Sequence, residues 1–180
     1  MPKYQGELDG LCGIYAIINA YEECGLIDDG NVHDEIFKTC CRALSHSVWP
    51  DLIWDGSVFP QLQKMIAACR THVPAVMKVK ISYPFRRRSP SSNNEYWERF
   101  DELLTEGEDE IKCAVIGTTR PSRHWIVAAR DGSRIYFSDS TAGRPIVRKN
   151  RSSLFAGERH ANRNVWLLDR SELIVFSATR

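Results

Sequence analysis

Three residue types in this chain could together run acyl-transfer chemistry on an amide: a cysteine near the start, then a histidine and an aspartate far downstream. Cys12 follows the polar, glycine-rich lead-in Gln5-Gly-Glu-Leu-Asp-Gly-Leu and opens an apolar pattern. Ile14, Ile17, Ile18, Tyr21 and Cys24 recur at helical spacing, and Gly25 follows as a stop signal. Cys12 therefore belongs to the first turn of a helix, where unpaired backbone N–H groups and the helix dipole favour an anion such as a thiolate. The plainer account is a small apolar residue at the start of a buried helix.

The second informative stretch is His124-Trp-Ile-Val-Ala-Ala-Arg130, followed by Asp131-Gly132 and then Ser133-Arg-Ile-Tyr-Phe-Ser-Asp139. Asp-Gly between two β-rich runs is the strongest short-range hairpin signal. With those two residues as the turn, Arg130 faces Ser133 and His124 faces Asp139. Directly opposed residues share a face with Cβ atoms about 4.5–5.5 Å apart, so the carboxylate could fix the imidazole tautomer and steady its charged form. Cys12, His124 and Asp139 would then supply nucleophile, general base and orienter. The side-chain amide of Gln5, with the Cys12 backbone N–H, would make a two-donor oxyanion hole. Glycines at 6, 10 and 13 would let the backbone pass close to a substrate.

The elements that must position these groups fall in two blocks. After the first helix, Val32, Ile36, Cys40 and Leu44 make the stripe of a second, and Leu62, Met65, Ile66 and Cys69 that of a third. Residues 45–60 read as an ordered, aromatic-rich loop whose tryptophans plug the core. A strand is expected within 75–83, a basic surface loop at 84–94, and a further helix over about 95–106. From Lys112 onward the pattern is strands: 113–116, 124–130, 133–139, 164–169 and 173–176, with an Arg-rich loop around a short strand between 142 and 162. Helices first and an antiparallel sheet second predict an α+β fold, and nothing divides residues 1–180 into more than one domain.

Composition narrows the function classes. A formal net charge of +1 gives no reason to expect a nucleic-acid partner, and no apolar run is long enough to span a membrane. The N-terminus lacks the apolar core of a secretory signal, and the six cysteines show no metal-ligand spacing. Reduced thiols, a cytoplasmic setting and no metal or cofactor are the expectations.

In order and type, Gln5, Cys12-Gly13 with its apolar helix, His124-Trp-Ile-Val and Asp139 resemble the papain-like cysteine peptidase superfamily, in its compact bacterial branch of bacteriocin-leader peptidases and toxin or effector domains. The spacing from Gln5 to Cys12 is slightly longer than in that pattern, and residues 31–110 match no family pattern. The resemblance implies a helical half carrying Cys12 packed on an antiparallel sheet carrying His124 and Asp139. It also implies a thiol peptidase working through a thioester on a peptide or protein substrate. A glutamine deamidase or other amidase effector would use the same residues. From a different class, a non-catalytic module could grip an acidic protein or RNA through Arg86–Arg88 and the basic stretch 144–163.

Overall fold

The computed structural model of the chain describes residues 10–27, 30–105, 107, 110–132, 134–140 and 146–179. Helices α1 (Cys12–Glu23), α2 (Gly30–Arg42), α3 (Trp49–Asp55) and α4 (Phe59–Cys69) come first, followed by strand β1 (Lys78–Ser82) and helix α5 (Asn93–Leu104). Strands β2 (Glu110–Arg120), β3 (His124–Asp131), β4 (Arg134–Ser138), β5 (Ile146–Lys149), β6 (Leu154–Ala156) and β7 (Trp166–Thr179) complete the chain. They form one sheet in the order β1-β7-β2-β3-β4-β5, in which every neighbouring pair is antiparallel; β6 lies alongside β7 in parallel. The α+β architecture matches the expectation.

The sheet is buried on both faces. Cys113, Val115, Trp125, Val127 and Phe176 meet Ile14, Ile17, Tyr21, Leu62 and Met65 on one side. Ile116, Ile126, Phe137 and Val175 meet Tyr96, Trp97 and Phe100 of α5 on the other. Double burial is why the central strands read as continuous apolar runs rather than as strict alternation. Helix α1 is enclosed nearly all round, with Ala16, Asn19 and Ala20 buried as well as the predicted stripe, and it packs on β3 and β2. The helix that begins with Cys12 is thus held against the strand that begins with His124.

Three local expectations change. Residues 45–60 contain α3, started by Pro50 in its first turn, and Trp54 is 75 % exposed instead of plugging the core. The two strands expected at 164–169 and 173–176 are one, β7, whose pairing with β2 slips between Thr118↔Leu168 and Ile116↔Leu173. Helix α5 begins two residues before Glu95 because Ser92 is its cap, its Oγ accepting from the Glu95 N–H at 3.1 Å. The short strand expected in the Arg-rich segment is β5; β6, three residues long, is below what periodicity can resolve.

All six cysteines are free thiols. Four meet in two buried contacts, Cys24 Sγ at 3.5 Å from Cys113 Sγ and Cys40 Sγ at 3.4 Å from Cys69 Sγ. Burial and its sulfur neighbour push the Cys113 thiol far up, and the Cys69 contact with burial does the same to Cys40. Among the described residues no helix is long and apolar enough to cross a membrane, and no cluster of three or more His, Cys, Asp or Glu could hold a metal ion.

Candidate active site

Cys12 is the first residue of α1; Leu11 precedes it at the N-cap and makes no side-chain cap. The helix dipole at this turn favours an anion. The close fit of this turn comes from two glycines. A Cβ on Gly10 would stand 2.8 Å from the backbone of Gly56 and Ile53, and one on Gly13 would stand 2.0 Å from Ser57 Oγ and 2.8 Å from Leu62 Cδ1. Gly10 and Gly13 thus allow close packing of the cysteine turn against residues 52–57 and Leu62, and Gly10 also lines the cleft described below. Gly6 lies outside the described residues, as does Gln5, the expected oxyanion donor.

His124 begins β3 directly opposite Thr118 of β2. The Thr118 hydroxyl is within hydrogen-bond distance of the Ser122 carbonyl, at 2.8 Å, and of the His124 carbonyl, at 3.2 Å, which pins the short turn delivering the histidine. The next residue, Trp125, donates its indole N–H to the Ser57 carbonyl at 2.7 Å and so ties β3 to the segment flanking Cys12. Asp139 follows the end of β4 and is 8 % exposed.

Nε2 of His124 lies 2.9 Å from Oδ1 of Asp139. The register that achieves this is not the expected one. Asp131 pairs with Arg134 and Val127 with Ser138, so the connection holds residues 132 and 133, and Gly132 takes φ +61° within it. The ladder has moved by two residues, which places Asp139 level with Ile126 rather than with His124. A shift of two preserves the face, because strand side chains alternate with period two. The contact is consequently diagonal instead of directly across the ladder.

The Cys12 side chain also acts on the His124 ring and favours its protonated form. Burial works to lower the imidazole's proton affinity, but the Asp139 hydrogen bond and the Cys12 sulfur outweigh it, and the value rises from 6.5 to about 9. The structure thus brings Cys12, His124 and Asp139 together.

Cys12 and His124 line a cleft of about 370 Å³. One wall comes from the end of α3 and its connection to α4, with Trp54, Asp55, Gly56 and Val58; the other carries Thr118, Arg123 and Glu172. Gly56 takes φ +78°, and a Cβ there would stand 3.9 Å from the Cys12 sulfur. Sequence reasoning missed these wall residues. The available signals were the Asp-Gly-Ser break at 55–57, flanked by Trp54, and the polar interruption Asp169-Arg-Ser-Glu172 in an otherwise apolar strand. Burial pushes the Glu172 carboxyl up to about 7; Asp169 adds to the rise and Arg123 opposes it.

No family model matches the chain, and no curated protein does. Among solved structures it is similar to a Pseudomonas avirulence protein, AvrPphB, at 10 % identity over 94 % of this chain and 91 % of that one, with a TM-score of 0.38.

Proposed function

We propose that this chain is a cysteine-dependent hydrolase of papain-like type, cleaving amide bonds of a peptide or protein with Cys12 as nucleophile, His124 as general acid and base, and Asp139 as orienter. One observation carries the proposal: a histidine hydrogen-bonded to a buried carboxylate lines one open cleft together with a helix-initial cysteine. A cysteine that merely filled the core would need neither partner.

The chemistry follows from these positions. The Cys12 thiolate attacks the amide carbonyl carbon while the adjacent imidazolium holds the proton. The oxyanion that develops lies toward the start of α1, where the Cys12 backbone N–H is available, and the sequence pattern assigns the second donor to Gln5. Collapse breaks the C–N bond as His124 delivers its proton to the leaving amine, leaving a thioester on Cys12. Water, deprotonated by His124, then attacks the thioester carbonyl; the acid product departs and the sulfur is restored as thiolate beside imidazolium. Every step uses side chains of this chain, substrate and water.

The test is turnover. The wild-type protein should cleave a diverse peptide library, with Cys12→Ala inactive and able to retain its substrate from a lysate for identification. If wild type and Cys12→Ala leave the library equally intact, while both still bind an acidic partner in a salt-sensitive way, the hydrolase proposal fails and the binding module replaces it.

A further inference from the structure

We infer that Glu172 forms an acidic seat in the cleft that takes a cationic side chain, a lysine or an arginine of the substrate, next to the bond presented to Cys12. Naming the ligand a substrate rests on the hydrolase reading above; the seat itself is a property of the cleft.

Position is the first argument. Between Thr118↔Leu168 and Ile116↔Leu173, residues 169–172 of β7 stand against Gly117 alone. Such a bulge re-aims a side chain that regular pairing would direct elsewhere. Here it lays Glu172 directly over Gly117, where an added Cβ would stand 2.0 Å from Oε2 and 3.0 Å from the Glu172 Cβ. Only a glycine leaves that room. Gly117 adjoins Thr118, the residue paired with His124, so the carboxyl is placed beside the histidine's own anchor and lines the same cleft.

Charge is the second. Glu172 is half-buried, yet among the described residues no hydrogen bond or ion pair meets its carboxylate. Its charged neighbours are Asp169, of like sign, and Arg123, which is exposed and not in ion-pair contact with it. A partly desolvated carboxylate without a counter-charge is unfavourable by itself and is relieved when a cation arrives. The opposite wall adds a second carboxylate, Asp55, and the exposed indole of Trp54, whose face suits both a cation and the alkyl stem that carries it. An anionic side chain would meet both carboxylates, offset by Arg123 and by an imidazolium of His124 that already faces Asp139.

The seat can be read without any catalytic turnover. Cys12 is titrated with a cationic methanethiosulfonate (2-aminoethyl) and a neutral one (methyl), each rate being referred to that of free cysteine and the modified site identified by mass spectrometry. In wild type the cationic reagent should gain about tenfold over the neutral one from the local field. Glu172→Gln, which keeps the shape, should erase most of that gain in the cationic-to-neutral ratio; Glu172→Ser, which empties the seat, should do the same. A ratio that stays at the wild-type value in both variants overturns the inference, whatever the protein hydrolyses. Where the ratio falls and peptides are cleaved, Glu172→Gln should raise KM for peptides bearing lysine or arginine beside the scissile bond about tenfold relative to their norleucine counterparts. Where the ratio falls and no peptide is cleaved, the seat stands and the hydrolase proposal is what fails.

Discussion

His124 and Asp139 touch through Nε2 and Oδ1 at 2.9 Å although the ladder sets them two residues out of direct opposition. Asp139 lies one residue past Ser138, the last paired residue of β4, and its carboxylate meets the first residue of β3.

That placement predicts unequal effects of the two substitutions. His124→Ala removes the proton carrier and should lower amide turnover by about a thousandfold, whereas Asp139→Asn keeps a hydrogen-bond partner for Nε2 and should cost about ten- to a hundredfold. Steady-state rates on one peptide decide it. Equal losses would mean that Asp139 does more than orient the ring.

Thiol reactivity should single out Cys12. It lines the cleft beside His124, whereas Cys40 and Cys113 are enclosed, and Cys41 is pushed up by burial. Brief iodoacetamide treatment near pH 6, followed by peptide mapping, should modify Cys12 alone, and His124→Ala should abolish the preference. Slow and uniform labelling of all six thiols would contradict a thiolate–imidazolium pair.

The pair also sets a pH dependence of stability. His124 rises from 6.5 to about 9 in the folded protein; burial pulls it down, but Asp139 and Cys12 outweigh that pull. A raised value means that the folded state binds the proton more tightly than the unfolded one. The stabilisation is complete below 6.5 and is lost as the pH climbs through about 9. The melting-temperature gap between wild type and Asp139→Asn should therefore be widest near pH 6 and shrink toward pH 9. A gap that widens over that interval would refute the assignment.

Close packing of the cysteine turn is open to a double substitution. Gly13→Ala drives a methyl into Ser57 Oγ and Leu62 Cδ1, which should destabilise the fold by about 1–3 kcal/mol. The Ser57 hydroxyl is buried without a hydrogen-bond partner among the described residues, so Ser57→Ala alone should change stability little. Combined with Gly13→Ala it should recover part of the loss. Denaturant midpoints of the four proteins measure the coupling, and strict additivity would show that the two sites do not meet.

What the amino-acid sequence determined by itself was local. The apolar stripe from Ile14 to Cys24 is a matter of helical period, and it placed Cys12 at a helix start; the β-rich runs around Asp131-Gly132 placed His124 and Asp139 on one face of a hairpin. The face survives a two-residue slip because side-chain alternation has period two, so the right partners were legible even though the turn was not. Tertiary structure decided the rest. Which two residues form the turn depends on how β4 pairs with β5 and packs on α5, energies that no dipeptide carries. The cleft walls are likewise non-local: Gly56 comes up to Cys12 where Gly10 and Gly13 allow the backbones to close, and Glu172 joins the lining where β7 bulges over a glycine of β2. Period and turn chemistry act over a few residues, whereas the meeting of Cys12 with His124 is settled by burying α1 against the sheet that carries β3.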